Sequence, residues 1–225
     1  MLALLVASTA ADAGAHTAPQ TKKVKNVIMV IGDGMGPQQL GLLLTYARQA
    51  PHSVIQNRTT AFDRMMRQGA VLGLSLTHAA DVLVTDSAAS GTQLASGSPA
   101  RAGMIGMDKN GNPTATIIEQ SENIGKATGL VSDTLMTHAT PAAFAAHQPH
   151  RSLANDIAVD MLHSGTDVML SGGLSNWIPQ DANEPDSAIY KKLAQMTEGA
   201  VKIVSKRKDK RNLLKEAQEQ GYALA

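Results

Sequence analysis

The chain has 225 residues, 43% of them hydrophobic and only 3% aromatic, with a formal net charge of +1 and no cysteine. Without cysteine there is no disulfide, no thiolate nucleophile and no cysteine-ligated zinc. The near-neutral charge gives no argument for a nucleic acid or an acidic partner. The length accommodates one α/β domain whose core is built from Ala, Leu, Ile, Val and Met.

The N-terminus, Met1-Leu2-Ala3-Leu4-Leu5-Val6-Ala7, is short and apolar. Ala11-Asp12-Ala13 and Ala13-Gly14-Ala15 both fit the A-x-A form of a signal-peptidase site. The basic front of a signal peptide is missing, so residues 1–21 read as a signal-peptide remnant and polar leader, and residues 22–225 as the folded part. A periplasmic or secreted protein is the expectation. No later segment approaches the roughly 20 apolar residues of a membrane span.

Val27–Ile31 is an apolar run that predicts a strand. It ends in the turn Gly32-Asp33-Gly34-Met35-Gly36, and helical periodicity follows over Pro37–Arg48, with Pro37 suited to the first helical position. Strand, glycine turn and helix form the opening unit of a parallel α/β sheet. The alternation continues with a helix over Thr60–Gln68 and a strand over Ala70–Leu76, then a helix over Thr114–Asn123 and a strand over Ala127–Val131. Leu153–His163 leads into the strand Val168–Leu170, and Ser187–Thr197 into Val201–Val204. Lys206–Arg211 reads as a solvated surface turn, because Asp209 interrupts its positive charge and no aromatics interleave. Glu216–Gly221 closes a helix and Tyr222–Ala225 begins a strand, as in a truncated domain. The expected class is α/β with a largely parallel sheet.

Four places carry candidate chemistry. Asp33 stands on a glycine turn at the carboxyl end of the first strand, where open α/β sheets bind ligands. Its carboxylate suits a hard or borderline metal ion, a structural Asx turn is the plain alternative, and a dinucleotide fits poorly beside the acidic side chain. In Thr85-Asp86-Ser87-Ala88-Ala89-Ser90-Gly91-Thr92, Asp86 is a good N-cap and Ser87 falls on the first helical turn. There the unpaired amides and helix dipole favour a phosphate or a developing alkoxide, although capping alone also explains the pattern. Pro141 makes Thr140 the natural N-cap of a helix running through Phe144 to His147, which would occupy the Thr140 hydroxyl in capping. His147 reads as a packed or hydrogen-bonded histidine, and His138 lies at the functional edge of the sheet. Arg151 follows that helix and could grip two oxygens of a phosphate. His52, His78, His163 and Trp177 read as packing or surface residues.

Together, Val27–Gly36 with Asp33, Thr85–Gly97 with Ser87, and His138–Arg151 with Thr140 resemble, in order and spacing, the amino-terminal half of an alkaline phosphatase. Gly125–Ser132 and Asp167–Trp177 resemble the cold-adapted bacterial members, and the resemblance runs from Lys22 to Ala225. It implies a three-layer α/β sandwich, two zinc ions, one magnesium ion, and phosphate monoesters as substrates. By the resemblance Ser87 is the nucleophile that becomes a phosphoserine, and it also touches zinc. Asp33 bridges a zinc and the magnesium, Thr140 gives its hydroxyl to magnesium, and Arg151 holds two non-bridging oxygens. Asp86 is a cap and a partner for Arg151. His138 stands where some bacterial members carry an aspartate, so it is a candidate metal contact that favours zinc over magnesium. Family members are often dimers, so a homodimer is an expectation. The family's remaining ligands belong to its second half and have no match before Ala225, so little activity is expected of this chain alone. A phosphodiesterase or sulfatase of the same superfamily is the alternative enzyme, although the Arg151 region and a serine nucleophile argue against it. A non-catalytic domain holding phosphate or metal on Asp33 and Ser87 is the alternative outside catalysis.

Overall fold

Local capping chemistry decides where the helices begin. In the structure, a computed structural model that describes residues 24–224, α1 spans Pro37–Gln49 with proline at its start. Helix α2, Ala61–Arg67, opens on a reciprocal cap: the Thr60 hydroxyl accepts from the Asp63 amide at 3.1 Å, and the Asp63 carboxylate accepts from the Thr60 amide at 2.9 Å. Helix α3 is Ser87–Ser96, and Gly97 ends it in the left-handed conformation. Helix α4, Ile117–Asn123, starts later than the periodicity predicts because Thr116 forms the cap with Glu119. Then come α5 (Ala139–Ala142), α6 (Ala154–His163), α7 (Ala188–Met196) and α8 (Leu213–Glu219). The signal-peptide expectation on residues 1–21 lies outside the described residues. Among the described residues no helix is long and apolar enough to cross a membrane.

The sheet is a parallel pair. β1 (Gly129–Leu135) lies beside β2 (Val168–Gly172) with Gly129 opposite Val168, Leu130 opposite Met169 and Val131 opposite Leu170. The register is irregular between Val131 and Leu135. Helices α5 and α6 form the crossover, so the unit is strand–helix–parallel strand, the α/β class that the alternation predicts.

Four expected strands do not form. Val27–Ile31, Ala70–Leu76, Val201–Val204 and the segment from Tyr222 to Leu224 are outside helix and strand. The first two are openly exposed, with Ile28 at 88% and Leu74 at 90%. A strand is completed by ladder bonds to a neighbour that local sequence does not name. Among the described residues these runs have the apolar pattern but no paired neighbour.

The main core joins α3, α5, α6 and α8 to β1, with Ile105, Leu130, Met136, Phe144, Ile157, Met161, Leu162, Trp177 and Leu213 among small residues. Alanines dominate the facing sides of α3 and α5. Ala88, Gly91, Thr92 and Ala95 repeat at helical spacing along the buried side of α3. Small side chains let the two backbones approach, which is how these helices make contact in a chain so poor in aromatics. A second cluster, Ile178, Ala182, Leu193 and Ile203, lies under α7. His52, His78 and His163 are exposed, and Trp177 is packed in the core.

Lys206–Arg211 is not a simple solvated turn. Ile203, Ser205 and Arg207 are buried and alternate with exposed Val204, Lys206 and Lys208. The Arg207 guanidinium is 4% exposed as a residue and grips Asp209 with Nε at 2.7 Å and Nη2 at 2.6 Å. Its Nη1 donates to the Asn155 and Asn176 carbonyls at 3.2 and 3.0 Å. A buried guanidinium needs every one of those acceptors, and they come from three separate segments. Arg207→Leu leaves the two carbonyls without a donor and is expected to cost about 2–4 kcal/mol by urea unfolding. Lys206→Leu on the exposed side is the control and is expected to stay within about 0.5 kcal/mol.

Candidate active site

Four sequence-distant segments meet at the carboxyl end of β1 and the amino end of α3. The Asp86 carboxylate caps α3 through the Ala89 amide at 3.1 Å and also accepts the Gly103 amide at 3.1 Å. Its second oxygen accepts Arg151 Nη1 at 2.9 Å. Partial burial pushes the Asp86 carboxyl up, but the two amides and the guanidinium outweigh it and hold it below the usual carboxylate range. Ser87 is therefore the first residue of a helix whose N-terminus is anchored from outside.

Asp33 lies on the predicted glycine turn, closed by the Met35 amide on the Gly32 carbonyl at 3.0 Å. Asp33 Oδ2 accepts the Ser87 hydroxyl at 2.8 Å and the Thr140 hydroxyl at 3.3 Å. Three oxygen-bearing side chains thus converge, two hydroxyls on one carboxylate oxygen.

Thr140 is free to do this because it is not the cap of its helix. Helix α5 starts at Ala139, with His138 at the N-cap making no side-chain cap bond, and it ends at Ala142. Neither the Thr140 cap nor a helix continuing to His147 forms. Thr140 sits inside the first turn, where its hydroxyl is released toward Asp33. Gly91 eases the approach of α3 to α5 that makes this contact: a Cβ there would stand 3.0 Å from the Ala143 methyl, close enough to push the two helices apart by a few tenths of an ångström.

His138 and Arg151 are brought together. Arg151 Nη2 lies 3.3 Å from His138 Nε2, so the ring nitrogen faces the guanidinium. The Arg151 amide donates to the Gly103 carbonyl at 2.8 Å. Asp86 and His138 engage one contact each from the two terminal nitrogens, which leaves further N–H groups of the fork for an oxyanion. The five predicted residues thus fall in two hydrogen-bonded groups, Asp33 with Ser87 and Thr140, and Arg151 with His138 and Asp86, which meet where Asp86 and Ser87 are neighbours in the chain. What the sequence reading missed is Gly103, which bonds both Asp86 and Arg151; its only signal was the pair of glycines at 103 and 106. Among the described residues no three His, Cys, Asp or Glu side chains are grouped as a metal site.

Such an arrangement defines a class: a parallel α/β protein with a serine hydroxyl at a helix N-terminus, an arginine fork beside it and a carboxylate in contact with the hydroxyl. The alkaline phosphatase family profile matches residues 24–225. The chain is 36% identical over 171 residues to alkaline phosphatase 4 of Bacillus subtilis, which covers 72% of this chain and 35% of that protein. Among solved structures it is similar to the cold-active alkaline phosphatase of Shewanella sp., at 34% identity and a TM-score of 0.57 over 75% of this chain and 39% of the other. It is also similar, at 27% identity and a TM-score of 0.55 over 71% of this chain and 40% of the other, to a variant of the alkaline phosphatase of the Antarctic bacterium TAB5 with magnesium bound. The chain belongs to the alkaline phosphatase family. It spans about a third of the length of the curated relatives it matches (35% of the Bacillus protein).

Asp86→Asn keeps one acceptor oxygen and removes the charge. Stability near neutral pH is expected to fall by about 1–2 kcal/mol by urea unfolding. Because folding lowers the Asp86 pKa, the contribution of the charge is present above the ordinary carboxylate range and is lost as pH falls through the lowered value. Wild type and variant are therefore expected to converge once the pH has fallen below that lowered value.

Proposed function

We propose that this chain carries the nucleophile and the oxyanion clamp of a phosphate monoester hydrolase that works through a phosphoserine on Ser87. The observation that carries the reading is that Ser87 and Thr140 both donate to Asp33, while Asp86, the residue before Ser87, accepts Arg151. In this reading the Ser87 oxygen bonds to phosphorus as the ester P–O bond breaks, and the leaving oxygen takes a proton. Water then attacks the phosphoserine and releases inorganic phosphate. The α3 N-terminus presents Ser87 toward a negative group, and the Arg151 fork binds two non-bridging oxygens. Asp33 orients the Ser87 hydroxyl.

The donors present fit oxygen-seeking cations, since the Asp33 carboxylate and the Ser87 and Thr140 hydroxyls converge. Asp33, Ser87 and Thr140 would hold them, two zinc and one magnesium by the family resemblance. His138 would have to release Arg151 before its Nε2 could join. When bound, such ions supply charge neutralisation and lower the pKa of the serine hydroxyl. Export and dimer formation belong to the same reading.

Trapping the intermediate is the test. The protein is incubated with inorganic phosphate at acid pH, with Zn²⁺ and Mg²⁺ present, and the phosphate is mapped by mass spectrometry. For a polypeptide that also carries sequence matching the rest of its relatives, the expected result is phosphate on Ser87 and none in Ser87→Ala. For the 225-residue chain alone, turnover of a simple aryl phosphate is expected at background. Zinc-dependent turnover by that chain, abolished by Ser87→Ala, would refute its proposed inactivity. Phosphate on another residue would refute the role of Ser87.

A further inference from the structure

Residues Gly103 to Gly106 form a strap between the helix that carries Ser87 and the segment that carries Arg151. At one end the Gly103 amide donates to Asp86 at 3.1 Å and its carbonyl accepts the Arg151 amide at 2.8 Å. In the middle Ile105 and Gln148 exchange two backbone bonds, each 2.9 Å. At the far end the Gly106 amide donates to Thr92 Oγ1 on α3 at 2.9 Å, and the Gly106 carbonyl meets His147 Nδ1 at 2.6 Å. Only glycine fits there. Its φ is +58°, and a Cβ would fall 2.0 Å from the Ala146 carbonyl oxygen.

The second ring nitrogen of His147, Nε2, lies 2.7 Å from Glu119 Oε1 on α4. A carbonyl oxygen and a carboxylate only accept, so both contacts are hydrogen bonds at once when both ring nitrogens carry protons, as in an imidazolium. Glu119 is a carboxylate here: burial pushes it up, but the His147 ring and the Thr116 amide bring it below its ordinary value. The charged side chains that line the cleft beside the ring are acidic. Glu122 of α4 lines the same cleft, and Asp160 of α6 accepts the His147 amide at 3.0 Å and the Gln148 side chain at 2.8 Å.

We propose that His147 is a positioning residue for Arg151, an imidazolium whose two N–H groups fasten the 103–106 strap to α4 and so fix where the guanidinium stands against Asp86. The proposal rests on the phosphoryl-transfer reading only for what Arg151 holds; the strap and the imidazolium stand on their own contacts. A neutral ring donates through one nitrogen, so on deprotonation either the Gly106 carbonyl or Glu119 loses its donor. Burial draws the His147 pKa down, but the bonds to Glu119 and Gly106 and the charges of Glu119 and Asp160 outweigh it and raise it above the ordinary histidine value. The clamp is then complete below that ordinary value and is lost as pH rises through the raised one.

The test is nuclear magnetic resonance on the ¹⁵N-labelled 225-residue chain. The expected result is a His147 ring protonated on both nitrogens below its midpoint, with that midpoint above the ordinary histidine value. Amide exchange at Gly103 and Arg151, corrected for its intrinsic pH dependence, is expected to accelerate about tenfold across that midpoint. In Glu119→Gln the midpoint is expected to fall and the exchange step to move with it, a shift that lost packing alone does not produce. In His147→Gln the step is absent and both amides exchange fast at every pH. If that variant fails to fold, the wild-type and Glu119→Gln titrations decide. A ring that titrates at or below the ordinary value overturns the proposal, as do Gly103 and Arg151 amides that ignore its titration. A separate addition of inorganic phosphate with Mg²⁺ that leaves the Arg151 signals unmoved overturns the phosphate-clamp reading alone.

Discussion

Asp86 divides one carboxylate among three segments: the first turn of α3, the strap at Gly103 and the Arg151 fork. Each contact is a charge-assisted hydrogen bond in a partly buried place, where such bonds are strongest and a missing partner is most costly. The carboxylate also lies at the positive end of the helix dipole, so a negative charge there is favoured twice over. Ser87 follows it directly in sequence, so the position of that hydroxyl is inherited from the position of its neighbour. Arg151 is held by the same group, so the guanidinium and the Ser87 hydroxyl share one reference point.

Around that point the scaffold works by close approach rather than by bulk. The contact of α3 with α5 is made of glycine and alanine, and this lets Thr140 reach the carboxylate that also accepts from Ser87. Asp33 comes from an exposed turn, whereas Ser87 and Thr140 sit on packed helices. The two hydroxyls are therefore placed by the core, and Asp33 is placed in part by them.

Much of the site is legible in the chain, residue by residue. Asp86 before a run of small residues reads directly as a cap, because capping is decided within four residues. The pairing of Arg151 with Asp86, 65 residues apart, is implied by the family resemblance and is not legible from local spacing. Thr140 does not read correctly. Proline at 141 points to a cap at 140, but the chain turns into the helix one residue earlier, and the hydroxyl is left for a long-range contact. Arg207 misleads in the opposite direction. Its neighbours Lys206, Lys208 and Lys210 are exposed, yet Arg207 is buried by carbonyls more than 30 and 50 residues away in sequence.

Sequence by itself determined most of the helices, the Asp86 cap and the candidate site residues, because capping and helical periodicity depend on side chains within a turn or two of one another, although the Thr140 cap did not form. It also determined the α/β alternation and the pairing class of β1 with β2. Only the tertiary structure decided which apolar runs become strands, that Thr140 faces Asp33, and that Gly103 and Gly106 tie the Ser87 helix to Arg151. Those outcomes depend on backbone groups finding partners far away in the chain, and a strand or a strap has no meaning until its neighbour is in place.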